Sequence, residues 1–321
     1  TAAPLLAFAS LAMAQPAPAT PTDVSRWAGT IDFGARASST TGDTARWERY
    51  RDLRDGVFSR ISFGQETDRY ILNVKADNIG YHDQRYQANY LNSGRVKIAA
   101  LWESTPLNYS YLSSTPWVEQ SRGVFTLDPA ARLLVQNATP GVVGVPTTAA
   151  QLATPSIYRG LAKPFDIQAR RDTATLGGTF APNDDLSFMF TVISTKKSGH
   201  EPKGASFAFS VTDQLPLPLD NRTNDLTAAV EWLNQQGMVR VAWDSSWFNN
   251  NIHEYMFDNP VRATDMSPID ASGYSNGRGA AQGRMAAPPS NSLNKISAMG
   301  RYKMPGHSAV NGQMSFTLMK Q

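Results

Sequence analysis

Residues able to do bond chemistry are few and scattered in this 321-residue chain, which has four histidines and no cysteine. Without a thiol, these residues form no disulfide, thiolate metal site, cysteine nucleophile or covalent c-type haem link. His82, His200, His253 and His307 lack the close spacing by which neighbouring imidazoles share a metal. The chain holds no Gly-x-Ser-x-Gly elbow, no His-Glu-x-x-His and no Gly-x-x-x-x-Gly-Lys phosphate loop. The acid pair Asp184-Asp185 falls where a tight turn is expected, and Asp is an ordinary turn former. These residues point to no catalysis and to no cofactor or metal held by the chain.

The most individual charged stretch is Trp47-Glu48-Arg49-Tyr50-Arg51-Asp52-Leu53-Arg54-Asp55-Gly56-Val57-Phe58. Its acids and bases alternate around two aromatic rings, which suits an ion-paired loop that turns the chain back into a sheet. Elsewhere charge is dilute. The net charge is +3 and no dense basic run occurs, which argues against nucleic acid as a partner.

The elements that must position these residues are strands, because the dominant period beyond residue 26 is two. Ile31, Phe33 and Ala35 alternate with Asp32, Gly34 and Arg36; Tyr70, Leu72 and Val74 alternate with Asn73, Lys75 and Asp77. The same pattern recurs at Val57–Phe63, Val96–Trp102, Leu107–Tyr111, Ala174–Phe180, Leu186–Val192, Leu226–Trp232, Val239–Trp243, Ile296–Met304 and Met314–Leu318. Counted this way, the sequence gives eleven strands with one apolar and one wet face.

Three features favour a transmembrane barrel over a soluble sandwich, the third reading being a secreted β-rich enzyme or binding protein. The stretches run to about ten residues, the length of a tilted membrane strand. The wet face carries full charges in mid-strand: Arg36, Arg60, Lys75, Asp77, Lys97, Glu103, Arg240 and Asp244. A water-filled lumen tolerates these, and they are the candidate lumen or partner-facing residues. Aromatic residues (Tyr70, Trp102, Tyr109, Trp232, Trp243, Trp247 and Tyr302) collect near segment ends, as in an interfacial girdle.

Connections sort in the same sense. Short turns are expected at Gly64–Asp68, Ser104–Pro106, Pro182–Asp185, Asn234–Gly237 and Pro305–Gly312, and long loops at 39–56, 80–93, 114–168, 196–223 and 249–292. Short and long alternate along the chain, as in outer-membrane barrels with short periplasmic turns and long external loops. Pro4–Leu11 reads as the apolar core of an export signal, with Ala12-Met13-Ala14 as its cleavage site before Gln15. The expected organisation is a partial signal peptide over 1–14, a flexible mature N-terminus over 15–26, and over 27–321 the N-terminal part of a barrel cut short. An odd strand count supports that last expectation, because single-chain bacterial barrels are even.

The run Glu48-Arg49-Tyr50-Arg51-Asp52-Leu53-Arg54-Asp55-Gly56, followed by a Phe-bearing strand, resembles the MtrB/PioB family of outer-membrane β-barrels. Leu101-Trp102-Glu103-Ser104-Thr105-Pro106-Leu107-Asn108-Tyr109 is similar to that family's turn into a Tyr-bearing strand. Glu48, Tyr50, Arg51, Asp52, Leu53 and Gly56 carry the motif. The resemblance implies an all-β, antiparallel up-and-down barrel, large enough when complete (more than about twenty strands) to enclose another protein. It implies a non-enzymatic sleeve around a periplasmic multihaem c-type cytochrome, forming an electron conduit across the outer membrane, with an extracellular cytochrome as a further partner. Haem would then reside on the cytochrome and the lipid bilayer would surround the barrel. Some members carry a Cys-x-x-Cys near the mature N-terminus, which this chain lacks. The alternative is a general porin or substrate-specific outer-membrane channel.

Overall fold

The computed structural model describes residues 26–92, 94–138, 148–207, 211–265 and 280–321, so the expectations for residues 1–25 lie outside the described residues. The chain opens with β1 (Arg26–Arg36), a single helical turn α1 (Thr44–Trp47), β2 (Gly56–Glu66), β3 (Tyr70–Ile79), β4 (Arg85–Asn92) and β5 (Val96–Ser110). Small elements follow: β6 (Ser114–Thr115), β7 (Val118–Ser121), β8 (Val124–Thr126), α2 (Pro129–Ala138), α3 (Thr148–Leu161) and β9 (Lys163–Pro164). Next come β10 (Ile167–Phe180), β11 (Leu186–Phe207), β12 (Val211–Leu233), β13 (Gly237–Asn250), β14 (Glu254–Asp258), β15 (Gln282–Ala286), β16 (Asn291–Met304) and β17 (Ser308–Lys320). Eleven of these strands pair in the order β1-β2-β3-β4-β5-β10-β11-β12-β13-β16-β17. Every neighbour in that sheet is antiparallel, and the sheet is not closed among the described residues.

Alternation translates directly into two faces. The register sets Phe180 against Phe188, Phe188 against Val230 and Val230 against Val241, all on one face, and these side chains stay exposed. One residue further along each strand, Thr179, Met189, Ala229 and Arg240 share the other face, where Arg240 also faces Glu231. A sheet whose apolar face is the uncovered one is built for a lipid solvent.

The strand count agrees with expectation, but through two misreadings that cancel. Residues 85–92 form β4 inside what reads as a loop. Its outward positions, Tyr86, Ala88, Tyr90 and Asn92, carry too little aliphatic character to reveal an apolar period. Conversely, Ser104–Pro106 is no turn, since β5 runs unbroken from Val96 to Ser110. The apolar phase inverts along β5, from even positions through Trp102 to odd positions at Leu107 and Tyr109. Such an inversion mimics two strands in the sequence.

Pro106 is tolerated for a local reason. The Ser104 N–H donates to Gln84 O (2.9 Å) and the Asn108 N–H to Arg49 O (3.0 Å), both away from β10. The Pro106 nitrogen points the same way by parity, at a level that β4 does not reach.

Short connections hold as expected on one rim at 67–69, 181–185, 234–236 and 305–307, and β4 joins β5 on the same rim at the end of the expected long loop 80–93. The opposite rim is more structured than a set of loops. Residues 196–223 belong mostly to β11 and β12, strands of 22 and 23 residues that rise beyond the rest of the sheet. Pro202 faces Pro216 and His200 faces Pro218 across this hairpin, which explains why the segment reads as a loop.

Around the raised hairpin the long connections fold into a cap. β15, β14, β8 and β7 make a four-stranded sheet, α2 and α3 pack beside it, and β6 pairs with β9. The cap holds the main hydrophobic core: Phe125, Leu127, Val135 and Phe257 pack with Leu215 and Leu217 of β12. The apolar mass of this protein therefore lies in two places, on the outer surface of the sheet and inside the cap.

Candidate functional site

The polar face of the sheet carries a row of alternating charge. Asp32 on β1 stands opposite Arg60 on β2, and Arg60 Nε reaches Asp77 Oδ1 on β3 at 2.8 Å. Asp77 stands opposite Arg85 on β4, which in turn faces Glu103 on β5. Two residues of β3, Asp77 and Asn78, oppose Arg60 at a bulge, and Asn78 takes the left-handed conformation (φ 55°). Opposite charges on adjacent strands stabilise the pairing by roughly 0.2–1 kcal/mol each. These pairs therefore add little to stability.

The other sequence-derived candidates fall on the same face. Lys75 lies between Ser62 and Gln87 in register, and Lys97 between Leu91 and Thr179. Arg240 pairs with Glu231 at 3.6 Å, while Asp244 accepts from Thr227 Oγ1 at 2.9 Å and faces Lys295. Arg36 shares that face but stands at its rim. Its guanidinium lies over the rings of Phe58 and Tyr81 and donates to Asp52 O at 2.7 Å, so it serves the rim instead of the open face. Sequence alone missed Asp32, Arg85, Glu231 and Lys295, because only the register shows that they complete rows.

The motif 48–56 forms a clasp over the rim between β2 and β5. Asp52, only 6% exposed, accepts from the His82 N–H at 2.7 Å and pairs with Arg54 at 3.1 Å. Glu48 accepts from the Tyr111 hydroxyl at 3.1 Å, and Glu48 O accepts from Asn108 Nδ2 at 2.8 Å. Burial, and then the Glu48 carboxylate, push the Tyr111 hydroxyl well above the usual phenol range, so it remains a donor to Glu48. Ser38 ties the other flank, donating from its hydroxyl to Leu53 O (3.1 Å) and from its N–H to Asp55 Oδ1 (2.6 Å). Arg49 stacks on Tyr109, placing that ring under the clasp and outside the aromatic girdle in which it was expected. Tyr50 and Arg51 stay exposed, and Gly56 takes φ 153°, a value most side chains avoid. The clasp thus covers the β5 edge above the end of β4, where unpaired N–H groups would otherwise invite foreign strands.

Removing the clasp's central acid tests this reading. Asp52→Ala leaves the His82 N–H without its acceptor and the Arg54 guanidinium with Gly80 O alone, at a cost of about 1–3 kcal/mol. Faster proteolysis between residues 46 and 55 in the folded, detergent-solubilised protein is the expected result. Unchanged cleavage there would show that Asp52 holds nothing.

Residues 40–321 match the family model described as outer membrane beta-barrel porin, MtrB/PioB. The chain belongs to the MtrB/PioB family. The match includes the clasp, the charged row from Arg60 onward and the cap, so these are parts of an MtrB/PioB barrel. No curated protein matches. Among solved structures the chain is similar to a loop-deletion mutant of OmpT, an outer membrane protein of Vibrio cholerae. The identity is 11%, 93% of this chain and 72% of that one are covered, and the TM-score is 0.33. It is also similar to the Pseudomonas putida toluene transporter TodX, at 10% identity, with 92% and 73% covered and a TM-score of 0.28.

Proposed function

We propose that this MtrB/PioB barrel is a non-enzymatic sleeve holding a multihaem c-type cytochrome inside it, as part of an electron conduit across the outer membrane. Its polar face is then the lumen, and its short turns lie in the periplasm. The observation that carries the reading is the charged row Asp32–Arg60–Asp77–Arg85–Glu103 on the inward face of a family barrel. A lumen lined by mixed charge offers ion pairs to a soluble protein surface, whereas small side chains alone would merely wet a pore. Lys75, Lys97, Arg240 and Asp244 extend this lining over further strands. The chain contributes no haem ligand, insulates the partner from lipid and holds it in register with the membrane. Pro4–Leu11 and Ala12-Met13-Ala14 act as the apolar core and cleavage site of its export signal.

The test is co-purification. Affinity-tagged full-length protein, extracted in mild detergent, is expected to bring a haem-staining polypeptide in near-stoichiometric amount. Reconstituted vesicles should then pass electrons from internal dithionite to an external acceptor while retaining small solutes. A barrel recovered without haem that lets those solutes through would instead support the porin or substrate-channel reading.

A further inference from the structure

We propose that the outer wall of β11 and β12 binds the phosphate groups of an outer-leaflet glycolipid through Lys196 and Arg222. On the lipid-facing parity, the apolar residues of these strands end at Val192 and Leu226, which face each other in register. Next along the same face come Ser194 and Asn224, hydrogen-bonded at 2.8 Å, with Trp247 of β13 opposite Asn224. Beyond them Lys196 stands directly opposite Arg222, and both side chains are exposed. Apolar band, aromatic edge and paired cations follow one another in the order that a membrane presents tails, interface and headgroups.

Two like charges face to face across strands repel each other, so the arrangement needs an anion between them. The protein supplies too little: Asp172 of β10 stands opposite Lys196 in register but is held by Arg170 at 2.8 Å, and Asp220 is held by Arg122 at 3.1 Å, so Arg170, Lys196 and Arg222 outnumber the single acid set among them. Lys196 and Arg222 make no hydrogen bond or ion pair among the described residues. Guanidinium and ammonium side by side form a phosphate clamp, one planar and bidentate, the other a compact point charge. A glycolipid carrying phosphate on its sugar headgroup reaches this height while its acyl chains lie along Phe190 and Val192 below.

The inference rests on the reading that the rim bearing the cap faces outside, and that premise is checked separately. Leu112→Cys, at the long-connection rim and 88% exposed, should react with a membrane-impermeant maleimide on intact cells. Failure to react would overturn the orientation whatever the lipid result.

The binding experiment uses full-length protein in detergent and follows its thermal unfolding as ligand is titrated. Bisphosphorylated lipid A should raise the midpoint, with an apparent affinity about tenfold or more above that of the Lys196→Gln/Arg222→Gln variant. Lys196→Arg should retain the wild-type response, which separates loss of charge from loss of folding. Equal affinity in the double variant would overturn the proposal. An equal response of wild type to inorganic phosphate, or to lipid A stripped of phosphate, would overturn the glycolipid assignment.

Discussion

Arg132→Met is expected to unfold the cap while the eleven-stranded sheet stays folded. Arg132 emerges from α2 with its side chain only 10% exposed, and pairs with Asp258 of β14, 4% exposed, at 3.0 Å. The same guanidinium donates to Asn259 O (3.2 Å), Arg262 O (2.6 Å) and Ala281 O (2.6 Å). Asp258 in turn accepts from the Leu127 N–H at 3.0 Å and from Gln282 Nε2 at 3.0 Å. One ion pair therefore joins α2, the chain before it, β14 and the approach to β15. Methionine preserves the stem but leaves a buried carboxylate without its countercharge and takes a donor from each of three carbonyls, a loss of about 3–5 kcal/mol. That is a large share of what a unit of this size gains on folding. Hydrogen exchange should show protection lost at β7, β8, β14 and α2, with the heat-modifiable gel shift of the barrel unchanged. Intact protection in the cap would sink the claim that this pair organises it.

The difference between cap and sheet also explains what the sequence discloses. Across its middle the sheet turns one face to a single apolar solvent, so period two is written plainly into Leu186–Val192 or Val239–Trp243. The cap buries residues from segments far apart in the chain, such as Phe125, Leu217 and Phe257, and no local period records that. One signal for α2 was present: Asp128-Pro129 is a capping residue followed by a first-turn proline. The structure shows Asp128 Oδ1 accepting from the Ala131 N–H at 2.8 Å. The raised part of β11 and β12 was hidden by Pro202, Pro216 and Pro218, which only a hairpin free of further barrel neighbours accommodates. Among candidate residues, face could be read from parity, whereas partners could not. Glu103 was legible as a wet-face acid, but its place after Arg85 in a charged row depends on β4, which the sequence conceals.

Phe190→Arg tests the assignment of faces, on which every functional reading depends. Phe190 sits midway along the apolar run of β11, in register with Ala228 of β12 and Gly178 of β10, and remains 41% exposed. Its ring lies over Gly178 so closely that a Cβ added there would come within 2.4 Å of it, so the aromatic covers backbone that glycine leaves bare. In a bilayer an arginine at this depth costs roughly 2–4 kcal/mol, and the bare glycine adds to that. The neighbouring Thr191→Arg points to the polar face, beside Thr227 and Gly177, where water can solvate the charge. Refolding into phospholipid vesicles across a denaturant series should therefore separate two variants that differ by one residue position. The first should lose most of its heat-modifiable form, and the second should track wild type to within about 1 kcal/mol. Equal loss in both would mean that the sheet has no lipid side, and the lumen, the charged row and the glycolipid clamp would all lose their footing.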